Sequence, residues 1–234
     1  MYLPHGATSI SAMAVVWFVL GIAALAGAVV LLRIDSRRRA WRRKIRSIWG
    51  ARRGLEFMRK VPRIAAQWRH GMIGRHTLVD GANVVRGMPR LAVEDASEHV
   101  LFDLEDSATI FAVRAQHVSA IVFEAARTDP EGRPASAALA RACPGTSAAA
   151  TVGEWTIFSD DVEAARRTAD MRLVAFLDIV PDFVDVIWAE GEWVLASFPQ
   201  GTSWAEWDDV EGILHQFARL MRVLPPAHRE RAYS

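Results

Sequence analysis

The chain of 234 residues holds a single cysteine, Cys143. One thiol excludes an internal disulfide framework and suits a reducing compartment. It sits in "RACPG", with no CxxC partner and no histidine beside it, and Arg141 is thin support for a thiolate, so it reads as an ordinary loop cysteine. The seven histidines form no HxH or HxxxH pair, which leaves zinc chemistry no local foothold. "GMIG" and "DGANVVRG" lack the Lys-Ser/Thr ending of a phosphate loop, and there is no GxSxG elbow. Together these absences assign no catalytic residue, no cofactor and no metal ligand, and they point to a protein that is not an enzyme.

Positive charge is also missing where a secretory signal needs it. No Lys or Arg precedes the first apolar run, only "MYLPHGATSI". The run itself, Ala12 to Leu32, is 21 residues without a charge. At about 1.5 Å per residue it covers roughly 30 Å, a bilayer's hydrocarbon core, and it has no polar face to show to water. "LAGA" inside the run is only a loose cleavage-site mimic, so the segment reads as a retained anchor.

The opposite holds immediately afterwards. Residues 33–69 carry fourteen Lys or Arg against two acids, Asp35 and Glu56. Basic flanks stay on the cytoplasmic side, which predicts an N-terminus outside and everything beyond Leu32 inside a plasma (inner) membrane. The remaining fourteen basic residues face twenty-five acids, so a whole-chain net charge of +1 conceals a basic collar followed by an acidic body. Arg37, Arg38, Arg39, Arg42, Arg43, Lys44 and Arg46 are the residues expected on anionic lipid headgroups, each worth about 1 kcal/mol near such a surface. Trp41 and Trp49 among the arginines also fit base stacking, but aromatics belong equally at a bilayer interface, and nucleic acid is the weaker reading.

The domain map that follows is 1–11 extracytoplasmic tail, 12–32 transmembrane helix, 33–70 basic juxtamembrane helical segment, 71–226 cytoplasmic α+β domain with 128–152 as a loop, and 227–234 tail. Gly54 should interrupt the collar helix, and "PRIAAQWRHG" reads as a short helix between Pro62 and Gly71. "NVVRG", "HVLFDLE", "TIFAVRA", "SAIVFEA" and "EWTIFSD" are short β-rich runs with brief breaks, which favours antiparallel neighbours. In "VLFDLE", Val100, Phe102 and Leu104 alternate with a wetter face of Leu101, Asp103 and Glu105.

"DVEAARRTADMRLVAFLDIV" predicts one helix, capped by Ser159 or Asp160 and ended by Pro181. "VDVIWAEGEWVLAS" predicts a hairpin turning at Glu190-Gly191. Ser203 and Glu206 stand in capping-box spacing before an apolar stripe of Trp204, Trp207, Val210, Ile213, Leu214, Phe217, Leu220 and Met221. The fold class is therefore α+β: an N-terminal transmembrane helix and one domain of mainly antiparallel sheet with packed helices. The acids of "VEDASEH" and "DLED" read as solvated turns, and His215 as a structural histidine beside the stripe. Five of the nine tryptophans fall between Trp155 and Trp207; core packing accounts for most, with Trp188 facing Trp193 across the hairpin.

The phrases "AAQWRHGMI", "LFDLEDSATIFAVR", "AARRTADMRLVAFL" and "VIWAEGEWVLASFPQGTSWAEWDDVEGILHQFARLMRVLPP", after the anchor and collar, resemble the actinobacterial trehalose monomycolate transport factor A family. The resemblance implies a non-enzymatic, single-pass inner-membrane accessory protein. Its cytoplasmic domain would be similar to type III secretion chaperones and would assist an RND-type exporter of mycolic-acid glycolipid. It carries no catalytic residues over. An inner-leaflet lipid-binding or lipid-modifying protein is the alternative, suggested by an apolar, Trp-rich domain held close to lipid.

Overall fold

The chain falls into two units, Met1–Ile45 and Arg46–Ser234. The computed structural model describes residues 7–76, 80–90, 98–104, 107–116, 119–128 and 143–223. In the first unit, helix α1 (Ala7–Arg53) exposes residues 13–32 on every side, Trp17 and Phe18 included. Among the described residues it is the one helix long and apolar enough to cross a membrane. Its collar exposes Arg37, Arg38, Arg39 and Lys44, half-buries Arg42 and Arg43, and ties Asp35 to Arg39 one turn on at 2.7 Å.

The second unit begins with the last two turns of the same helix. Gly54 stops it as predicted: its φ of +79° is a conformation only glycine takes cheaply, and the Leu55 N–H returns 2.8 Å to the Gly50 carbonyl. Leu55 is thereby turned into the core.

Among the described residues a sheet of nine strands follows: β1 (Glu56–Val61), β2 (Gly81–Gly87), β3 (His99–Leu104), β4 (Ala108–Arg114), β5 (Phe123–Arg127), β6 (Ser147–Val152), β7 (Trp155–Ser159), β8 (Val186–Glu190) and β9 (Trp193–Phe198). Its spatial order is β1-β2-β3-β4-β9-β8-β5-β7-β6 and every pairing is antiparallel. The α+β class read from the sequence is the fold observed.

Both faces of the central strands are covered, which corrects the expectation of a wetter face on β3: all six of its residues are buried. One face receives a 3-10 turn (Ile64–Gln67) and the short helix α2 (Gly71–Gly74), so that Ile64, Trp68 and Met72 pack on Phe102, Ile110, Trp188 and Leu195. The opposite parity, Phe111 on β4 and Phe123 on β5, meets Trp49 from α1 and Phe217 from α5 (Trp204–Val223). The capping box of α5 is present, with the Ser203 N–H on Glu206 at 2.5 Å and the Glu206 N–H on the Ser203 hydroxyl at 3.4 Å.

Several expectations change. β1 occupies residues assigned to a helical collar, because Phe57 and Met58 find cross-strand partners in Val85 and Val84. The charges Glu56, Arg59 and Lys60 suit an edge strand that must not pair further. "PRIAAQWRHG" forms only the 3-10 turn in place of a helix, and Gly71, expected just past the helix end, instead opens α2. β6 claims the end of the 128–152 loop by pairing with β7; residues 129–142, like Glu94, Asp95, Glu105, Asp106 and both chain ends, lie outside the described residues.

The single helix expected after β7 is two, α3 (Val162–Thr168) and α4 (Met171–Leu177). Asp170 interrupts it by accepting the Arg172 and Leu173 N–H groups as a second cap, and Asp161, not Ser159 or Asp160, caps the first. The hairpin pairs Glu190 with Trp193, so Gly191-Glu192 form the turn. Trp193 packs edge-on against Trp68 at 5.3 Å, and Trp204 is exposed beneath the Arg52 guanidinium.

Residues 46–70 therefore contribute Trp49, Leu55, Ile64 and Trp68 to the core. Burying such side chains is worth about 1.5–5 kcal/mol each, together comparable with the ~5–15 kcal/mol stability of a whole domain. A fragment of residues 46–234 is expected to melt cooperatively by circular dichroism, whereas 71–234 should show no cooperative transition. A cooperative melt of the shorter fragment at the same temperature would refute this assignment of the core.

Candidate functional site

Two polar centres lie on opposite faces of the sheet. The first is built around Arg46. Its guanidinium is 3% exposed and sits 2.7 Å from the Asp103 carboxylate, itself 5% exposed. The collar helix delivers the arginine, and the inward alternation of β3 delivers the aspartate. Asp103 also accepts from Thr109 at 2.8 Å and from the Asn83 amide at 2.7 Å, so both its oxygens are held.

Asn83 takes part because β2 bulges between Ala82 and Val85, with Asn83 at φ +50°, a left-handed conformation asparagine tolerates. Arg46 also donates to the Asn83 carbonyl and the Thr109 hydroxyl, and its flat face lies 5.0 Å over the Trp207 ring. Expected on a lipid headgroup, Arg46 is instead a core ion-pair residue; expected in a solvated turn, Asp103 is its buried counter-ion.

One turn further along α1, Trp49 packs edge-on with both Phe111 and Trp207 and donates its indole N–H to Asp208 at 2.7 Å. Arg53 pairs with Asp208 at 2.7 Å and with Glu211. Glu211 in turn lies 3.3 Å from the Nδ1 of His99, whose ring stands 5.3 Å from that of His215. Burial first, then the neighbouring His215 and Arg53, push His99 down to about 3, which keeps its imidazole neutral at physiological pH. Burial raises the Glu211 carboxyl while Arg53 works against it. The structure thus brings His99 from β3 to Glu211 and His215 on α5, from which it is distant in the sequence.

The second centre fastens the segment Arg69–Arg75. The Glu190 carboxylate at the end of β8 accepts the N–H groups of Arg69 and His70, and Glu124 on β5 accepts that of Gly71 at 3.1 Å. Glu124 is wholly buried and paired with Arg75, which also donates to the Gly71 carbonyl at 2.6 Å. A side chain at residue 71, where φ is +62°, would collide with the Trp188 ring, so the close approach requires glycine. Cys143 joins this centre: it is buried, its Sγ 3.8 Å from the Arg69 carbonyl, and burial pushes the thiol up to about 12. Such a thiol is a packing group with little nucleophilic character.

His70 lies 3.0 Å from Glu190, and that hydrogen bond raises its imidazole above the ordinary 6.5, with burial opposing. A histidine raised on folding contributes fully below 6.5, and the contribution fades as pH climbs through the higher folded value. Urea midpoints measured between about pH 6 and 8 should therefore fall more for the native chain than for His70→Asn; parallel curves would contradict the assignment.

The Arg46 centre yields a second expectation. Asp103→Ala strands a buried cation and should cost about 3–5 kcal/mol in chemical denaturation. The joint change Arg46→Met, Asp103→Leu should cost clearly less, because no unpaired charge remains. A double variant as weak as the single one would show that the pair is not what matters there.

With this geometry in place, comparison with known proteins gives a concordant result. The family model described as trehalose monomycolate transport factor TtfA matches residues 13–234. The trehalose monomycolate transport factor A of Mycolicibacterium smegmatis is 29% identical over 215 residues, 92% of this chain and 72% of that protein. The crystal structure of the mycobacterial trehalose monomycolate transport factor A, TtfA, is similar with a TM-score of 0.67 and 26% identity, covering 79% of this chain and 97% of that one. Because that family model covers almost the whole sequence, the chain belongs to the trehalose monomycolate transport factor TtfA family.

Proposed function

We propose that this protein is a non-enzymatic, membrane-anchored accessory factor that docks on an inner-membrane transport complex and supports trehalose monomycolate export. Family membership, together with the relative's name as a trehalose monomycolate transport factor, supports the glycolipid as cargo. The observation that carries the reading is the makeup of α1. Its residues 13–32 are apolar and exposed all round, and its next stretch crowds arginines on one side of the span only. In this reading the asymmetry favours an N-terminus outside and an acidic domain in the cytoplasm. Arg37, Arg38, Arg39, Arg42, Arg43 and Lys44 then meet anionic headgroups, with Arg46 withdrawn into the fold. The partner in this reading is an RND-type lipid exporter.

The lipid-binding alternative needs an apolar groove. In the described residues the two faces of the sheet are filled by the protein's own aromatics, Trp68, Phe102 and Trp188 on one and Trp49, Phe111 and Phe217 on the other. That packing favours the accessory reading over a lipid carrier.

Mild crosslinking in cells followed by purification and peptide identification tests the proposal, comparing the full chain with residues 46–234. A multi-spanning exporter should be captured by the full chain and depleted at least several-fold for the fragment. Capture of no membrane protein by either would overturn it.

A further inference from the structure

We infer that His99, Glu211 and His215 form a binding site for a single divalent transition-metal ion of the zinc class. Their ligand atoms all lie within 4.8 Å of one another. Zinc bonds of about 2.0–2.1 Å set tetrahedral ligand atoms roughly 3.4 Å apart, so only small side-chain movements separate this arrangement from a coordinated one. Glu211 and His215 are one helical turn apart on α5, the i, i+4 spacing that puts two ligands on one face. His99 opens β3 and faces them from the sheet.

The donor set suits the ion. Two imidazoles and one carboxylate are the ligands of three-residue zinc sites that keep a fourth position for water, and nitrogen-rich sites of this kind prefer zinc over calcium or magnesium. His99 is held in place by its edge-on packing with Phe111 at 5.8 Å. Arg53 binds the Oε2 atom of Glu211, while Oε1 is the atom 3.3 Å from His99. One carboxylate oxygen is thus oriented by an outer partner and the other lies toward His99, the division of labour usual around metal ligands. His215 and Glu211 are only half-buried, which leaves an approach for the ion and a water.

A bound ion would cross-link β3 to α5 and, through Arg53, to the last turn of α1 within the same domain. Its role would be to tighten this corner of the fold, where Trp49 and Trp207 already meet. The site does not depend on the function proposed above.

The test uses the full chain in detergent with Zn²⁺ alone, and Co²⁺ as an optical substitute. Saturable binding of one Zn²⁺ per chain is expected by titration calorimetry, with visible Co²⁺ absorption bands of four-coordinate intensity. His215→Ala should weaken Zn²⁺ binding about tenfold or more, and Glu211→Gln should also weaken it, while His70→Asn should leave it unchanged. No Zn²⁺ uptake by the native chain, Co²⁺ spectra of a six-coordinate aqua ion, or full affinity retained in His215→Ala would each overturn the inference. The native-chain titration and Co²⁺ spectrum decide the matter even if a variant fails to fold.

Discussion

The domain depends on a buried pair of opposite charges, Arg46 and Asp103, in a place where neither tolerates being alone. Taking two such groups out of water costs several kcal/mol per ion, recovered only when every lone pair and donor finds a partner. Here that requirement recruits a bulged asparagine from β2, a threonine from β4 and the face of a tryptophan from α5. The pair therefore fixes where the folded domain starts. It starts inside the arginine-rich helix, two turns before the glycine that ends it.

The other face of the sheet meets a similar demand with different chemistry. A connecting segment pressed onto a sheet carries backbone N–H groups that must be satisfied once water is excluded. Glu190 and Glu124 take three successive ones, from residues 69 to 71, and Arg75 neutralises the deeper carboxylate. Buried charge on both faces makes an interior built for a single packing, with aromatics filling the space between.

Much of this was legible in the sequence because it was local. Branched and aromatic runs marked β3 and β4, a glycine-containing turn marked the β8–β9 hairpin, and Ser203 and Glu206 marked the start of α5 three residues apart. What escaped was set by partners distant in the chain. β1 reads as collar until Val84 and Val85 stand beside it, and β6, small and alanine-rich, is a strand only because β7 pairs with it. Arg46 is indistinguishable in sequence from the six basic residues grouped with it; only Asp103, 57 positions away, separates it from them. His99 and His215 are likewise joined by the fold alone, since no spacing rule spans 116 residues. The break at Asp170 was readable after the fact, as an aspartate just ahead of two N–H groups it can cap.

Residues 46–53 belong energetically to the folded domain although they share the composition of the basic collar. Native-state hydrogen exchange on the full chain in detergent measures this directly. The amides of Gly50 to Arg53 should exchange only with global unfolding, as slowly as those of Phe102 and Phe111 in the central strands, and should lose that protection together with them in rising denaturant. Exchange at the rate of a fraying helix end, independent of the strands, would contradict the account.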